Sequence, residues 1–208
     1  AATKKQELQA DVTLSQALKS RAFWLISFIV ICSALFISAV STHIILFGTT
    51  IGLTAVAAAM TSTVLTTVSI GGRFFIGWSS DKIEVRLTVV GAYLLIFISM
   101  LFAIYAAGGH MNAIWIFIPI FAFGYGGISV LRAQLIRSYF GRNNYGKILG
   151  FVQAIGTVGV VLGPIFAGRV FDLTGSYKLV WVVYAVLAFV PILFAMLMPA
   201  APFADKKI

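Results

Sequence analysis

The sequence predicts an all-α integral membrane protein, and three observations carry that reading. Hydrophobic residues make up 61% of the 208-residue chain and charged residues 10%. The mean hydropathy of +1.03 is far above that of soluble domains. Six apolar runs, each near the roughly 20 residues that a hydrocarbon core requires, fall at 22–47, 54–78, 87–107, 113–136, 148–171 and 179–199. They are continuous, without the alternating ten-residue pattern of a membrane β-barrel.

Ahead of the first span, residues 1–20 (AATKKQELQADVTLSQALKS) are polar and read as a cytoplasmic linker ending in a short amphipathic helix; residues 21–208 form the six-helix domain. Thr13 and Gln16 stand at capping-box spacing, and Leu14, Ala17 and Leu18 share one face. That helix is expected to lie at the membrane interface. Ala1 is not an initiator methionine and the opening lacks the basic start, apolar core and cleavage site of a signal peptide, so the chain is expected to be part of a longer protein. Arg21, Phe23 and Trp24 are basic and aromatic anchors where the chain enters the membrane.

Loop charge sets the expected orientation. With the N-terminus inside, the inner face carries Lys4, Lys5, Lys19, Arg21, Lys82, Arg86, Arg137, Arg142, Lys147, Lys206 and Lys207, and the outer face only Arg169 and Lys178, as the positive-inside rule asks. Both termini are then cytoplasmic in a multi-pass protein of the cell (inner) membrane, in contact with membrane lipids. The rule also accounts for the net charge of +9 without nucleic acid as a partner. None of the six acids lies in a span core, His43 and His110 have no partner at ligand spacing, and Cys32 is the single cysteine. No metal site, cofactor or enzyme chemistry is therefore expected.

Small residues recur at packing spacing. In the fifth span Gly159, Gly163 and Ala167 repeat every fourth residue, joined by Gly156 and Gly168, and Pro164 interrupts the ladder. Such rows let a neighbouring helix approach closely. The second span has Ala58, Ser62, Thr66 and Ser69, and the fourth has Gly124, Gly126 and Gly127.

Within the second span, SIGGRFFIGWSSDK (69–82) drives Arg73 into an apolar helix and ends in Gly77, Asp81 and Lys82, with Arg86 close behind. A lone cation at bilayer depth costs about 2.5–3.5 kcal/mol on insertion scales, so an intramembrane arginine points to an anionic partner. Asp81 is expected to cap the start of the third span.

These residues resemble the C-terminal six-helix half of a major facilitator superfamily transporter, in the branch of monocarboxylate transporters and oxalate/formate antiporters. Gly77, Asp81, Lys82 and Arg86 look like the second copy of the superfamily's cytoplasmic loop motif. YFGRNNYGKILG (139–150) and GPIFAGRVFDLTGSY (163–177) look like the following inner and outer connections. The resemblance implies two three-helix inverted repeats, a missing N-terminal six-helix half as partner, and alternating access. It also implies a small organic anion as cargo, by proton symport or anion exchange, with Arg73 four residues before Gly77 pairing with the carboxylate. A guanidinium suits that role as a permanently charged fork of donors.

The chain departs from the family at three positions. Glu84 stands where the loop motif has glycine, Ser69 where monocarboxylate transporters often have an aspartate, and Ile155 near the second membrane cation of the oxalate exchanger. One clear cation favours a monoanion. Arg73 has a second reading, in which it snorkels to the inner surface and the cargo is a neutral or drug-like solute. Arg132 reads equally as an inner-gate ion pair or a cavity residue. His43 is either a substrate or proton contact or a hydrogen-bonded packing residue. Gln153, Tyr125 and Tyr93 are further polar residues with no spacing that promotes them.

Overall fold

A computed structural model describes residues 12–199 together with 201 and 202. The first eleven residues, with Lys4 and Lys5, and the terminal Lys206 and Lys207 lie outside the described residues. Among the described residues seven α-helices follow one another: α1 Leu14–Lys19, α2 Arg21–Thr50, α3 Ala55–Lys82, α4 Val85–Ala107, α5 Ile114–Phe140, α6 Tyr145–Thr174 and α7 Lys178–Leu197. A 3-10 turn, Met111–Ala113, leads into α5. The six helices α2–α7 are long and apolar enough to cross a membrane, and there is no strand among the described residues.

Local chemistry starts and stops these helices. Thr13 accepts from the Gln16 amide while Gln16 Oε1 receives the Thr13 N–H at 2.8 Å, so the expected capping box forms at α1. Ser20 and Thr54 cap α2 and α3 through their hydroxyls, satisfying first-turn N–H groups that have no helical partner. Gly175 ends α6 at φ +65°, a left-handed turn in which glycine has no Cβ to clash.

Two expectations are corrected at the end of α3. The helix does not stop near Trp78: Ser79 to Lys82 remain helical, and the ladder closes with Ile83 N–H on Ser79 O at 2.8 Å. Asp81 therefore lies in the last turn of α3 and caps nothing. Glu84 occupies the N-cap position of α4 without a side-chain bond.

The helices pack in a pattern that repeats. Helix α3 lies on α5 and α6 on α2; α4 lies on α5 and α7 on α2; α4 and α7 lie on each other. Exchanging α2 with α5, α3 with α6 and α4 with α7 interchanges the first four pairs two by two and maps the α4–α7 pair onto itself, as two repeats of three helices require. Helices α2 and α5 are the most buried of the six, and α3 and α6 the least. Phe36 on α2 meets Tyr93 on α4 and Phe121 on α5 edge-on at 6.4 Å, in the centre of the apolar core.

The two equivalent crossings are built on glycine. A methyl group on Gly72 of α3 would lie 2.1 Å from Phe123 O, and one on Gly126 of α5 would lie 2.0 Å from Ser69 O. At the other crossing, methyls on Gly159 and Gly163 of α6 would fall 2.6 Å from Ile31 O and 2.1 Å from Leu35 O of α2. Only a bare backbone fits there. Gly168 is looser, with the His43 ring 3.6 Å from where its Cβ would be.

Candidate functional site

The outward faces of the helices fall into two kinds. On α4 and α7 they are apolar: Leu87, Leu94, Ile98 and Leu101 on one, Val182, Val186, Phe189, Leu193 and Met196 on the other. Lipid suits them. On α3 and α6 the exposed surface is mixed: apolar side chains such as Ile70, Phe74, Val161 and Ile165 stand beside Thr63, Thr66, Thr67 and Arg73, and beside Gly150, Gln153, Ala154 and Thr157. Hydroxyls, amides and a guanidinium in a helix of membrane length face a cavity or another protein segment far more readily than hydrocarbon.

Arg73 stands on that face of α3. Its backbone passes directly over α5, where its N–H nitrogen lies 3.1 Å from the point a Cβ on Gly126 would occupy, while its side chain is exposed. Nine residues separate it from Lys82, about 14 Å of helix. The described acids are Asp81, Glu84 and Asp172, all near helix ends. Glu84 pairs with Arg86 in the one ion pair among the described residues, and among them no hydrogen bond or ion pair engages the Arg73 side chain. Ser69, one turn earlier, is buried at the crossing and donates back to Thr66 O at 2.7 Å.

Arg132 is placed differently. It points from α5 toward α6, where its terminal nitrogen donates to the Gln153 side-chain oxygen, while its Nε is buried without a partner. Its stem lines a narrow cleft with Ile29, Val30, Val89 and Tyr93. Sequence reasoning noted Gln153 but had no means of pairing it with Arg132 across 21 residues.

His43 turns into the α2–α6 seam. Its Nε2 lies 3.1 Å from Pro164 O and its Nδ1 2.8 Å from the Tyr177 hydroxyl. A carbonyl oxygen only accepts, so in the neutral ring Nε2 carries the proton and the tyrosine donates to Nδ1. Both ring nitrogens are thus used in packing. Tyr177, in the loop before α7, has its phenol pushed up to about 12 by burial and by the nearby Asp172 charge, so it stays a neutral donor.

The loop-motif residues gather at the basic end of the bundle. Gln134 Nε2 of α5 donates to Asp81 Oδ1 of α3 at 3.3 Å, and Gly77 faces Val130. Lys82 Nζ sits 4.1 Å from the Trp78 ring centre. Arg86 donates to Met198 O at 2.8 Å, tying the start of α4 to the end of α7. Asn144 Nδ2 donates to Val12 O at 3.2 Å, holding the segment before α1 against the α5–α6 connection.

The family model described as Major Facilitator Superfamily matches residues 1–164. The chain belongs to that superfamily. It is 28% identical over 151 residues to the Uncharacterized MFS-type transporter YhjX of Escherichia coli (strain K12), covering 70% of this chain and 36% of that protein. It is 28% identical over 71 residues to Monocarboxylate transporter 2 of Rattus norvegicus, covering 34% of this chain and 14% of the relative. Among solved structures, an auto-inhibited POT family peptide transporter superposes with a TM-score of 0.76 at 14% identity, over 90% of this chain and 40% of that one; this likeness shows the fold. The chain thus spans little more than a third of the length of the Escherichia coli relative. The superfamily is one of multi-pass membrane transporters rather than enzymes, in keeping with six helices of membrane-spanning length among the described residues.

Proposed function

We propose that the chain is the C-terminal half of a secondary active transporter for a small monocarboxylate, working by proton symport or anion exchange. Arg73 is the carboxylate contact, at the interface with an N-terminal six-helix half, and rocking of the two halves opens the site to each side in turn. Both ends of the segment are cytoplasmic and the membrane is the cell (inner) membrane. The observation that carries the proposal is a guanidinium within a helix of membrane length, on a hydroxyl-bearing face, with no acid among the described residues to pair it. A free fork of this kind is matched to a carboxylate. The partial likeness to Monocarboxylate transporter 2 supports the same cargo class.

The test replaces Arg73 in the full-length transporter and measures uptake of short carboxylates in proteoliposomes. Arg73→Lys keeps the charge but loses the planar fork, and should weaken binding at least tenfold, about 1.4 kcal/mol. Arg73→Ala should abolish transport with insertion unimpaired. Unchanged carboxylate affinity in Arg73→Ala would put Arg73 at the membrane surface and favour a neutral or drug-like solute.

A further inference from the structure

Arg132 has a charge that nothing among the described residues balances. Its one side-chain partner is a neutral amide, Gln153, and its Nε–H is buried without an acceptor. Asp81 is engaged by Gln134 and Glu84 by Arg86, while Asp172 lies in the last turn of α6 at the opposite end of the bundle. A half-buried cation whose Nε–H is buried without an acceptor is costly, and an apolar side chain here would avoid that cost. The arrangement makes physical sense when an anion completes it.

Gln153 stands where an anion would arrive. It is exposed on α6, with Gly150 and Thr157 exposed one turn to either side, so it separates the guanidinium from the open polar face. Helices α5 and α6 pack lightly against each other, whereas each is locked to α3 or α2 by a glycine crossing. The Arg132–Gln153 bond therefore spans a seam that can open without breaking either crossing. Arg132 also lies six residues beyond Gly126, the residue beneath Arg73, or about 9 Å further toward the basic end.

We propose that Arg132 is a second anion-binding residue and Gln153 its neutral lid. A carboxylate displaces the Gln153 oxygen and takes the Nε–H and a terminal N–H side-on, a bidentate geometry that a guanidinium favours. An amide holds the guanidinium when the station is empty yet yields to an ionised competitor; a carboxylate lid would not yield. This inference rests on the carboxylate reading of Arg73 and adds a station inward of it.

The experiment reads Arg132 directly. The purified full-length transporter is treated with phenylglyoxal, which modifies accessible arginines, and Arg132 is followed by mass spectrometry with acetate or with acetamide, its neutral analogue. Acetate should slow the modification to about a fifth once it reaches roughly four times its dissociation constant, and acetamide should not. The protection should persist in Arg73→Ala, where the first station is gone. In Gln153→Glu, Arg132 should be protected without acetate. Equal effects of acetate and acetamide would overturn the proposal, as would loss of protection in Arg73→Ala. So would an Arg132 that stays unreactive in both the native transporter and Gln153→Ala, since the guanidinium would then never be reachable. Failure of the Arg73 reading shows separately, as unchanged carboxylate transport by Arg73→Ala.

Discussion

His43 and Tyr177, 134 residues apart in the chain, meet at 2.8 Å between Nδ1 and the phenol oxygen, and the other ring nitrogen of His43 reaches Pro164 O. One imidazole thereby fastens α2 to the proline of α6 and to the loop that leads into α7.

A packing role makes a specific prediction. Tyr177→Phe and His43→Ala should each lower thermal stability by about 0.5–1.5 kcal/mol, the range for hydrogen bonds between membrane helices, without changing KM. The phenol's pKa is raised in the fold, so its contribution is fully present below the ordinary tyrosine value and is lost as pH climbs toward about 12. Stability of the native protein should therefore fall more steeply above about pH 10 than that of Tyr177→Phe. A raised KM in His43→Ala with Tyr177→Phe silent would instead put His43 in the transport path.

The glycine crossings predict a second contrast. A methyl on Gly126 or Gly163 would run into backbone oxygens at 2.0 and 2.1 Å, while at Gly146 and Gly150 it would meet nothing within 4 Å. Backbone cannot yield as a flexible side chain can, so Gly126→Ala and Gly163→Ala should each cost about 1–3 kcal/mol by overpacking. Gly146→Ala and Gly150→Ala should leave unfolding in detergent unchanged. Equal melting of all four variants would remove the argument for tight crossings.

How far the chain could be read without its structure follows from the range of each interaction. The six spans and the Thr13–Gln16 capping box depend on neighbours within one helix, and both were legible. Span ends were less so: Ser79, Ser80 and Asp81 read as a loop because they are polar, yet backbone bonding carries the helix through them to Lys82. The place of Arg73 inside a long apolar helix could be read from its flanks. Its lack of a partner could not, because that depends on how all the acids are distributed in space. The pairings Arg132–Gln153, Gln134–Asp81 and His43–Tyr177 join different helices, and a single sequence carries no periodicity that links them.

Orientation is open to direct measurement. The bundle has one end rich in Lys and Arg, around Lys82, Arg86, Arg142 and Lys147, and an opposite end with Arg169 and Lys178. The positive-inside rule assigns the first to the cytoplasm. With Cys32 replaced, single cysteines at the exposed positions Ile83 and Gly146 should react with an impermeant reagent only from the cytoplasmic side. Cysteines at Thr49, Asn112 and Asp172, exposed near the other end, should react only from outside. Because consecutive spans alternate, one reporter on the wrong side would break the six-span order.

The last prediction concerns what covers α3 and α6. If this bundle met lipid on every side, Arg73 and the threonines around it would face hydrocarbon, at about 2.5–3.5 kcal/mol for the arginine alone. The apolar faces of α4 and α7 show that the chain does supply lipid-facing surfaces elsewhere, so the polar face is better explained by a partner that closes a cavity over it. Residues 1–208 expressed alone should then insert but give no carboxylate uptake. Co-expression with the N-terminal six-helix segment of the same protein should restore uptake, and Arg73→Ala should abolish the restored activity. Uptake by the isolated 208-residue segment at the rate of the full transporter would mean that this bundle forms the pathway without another half, and the two-half mechanism would have to be abandoned.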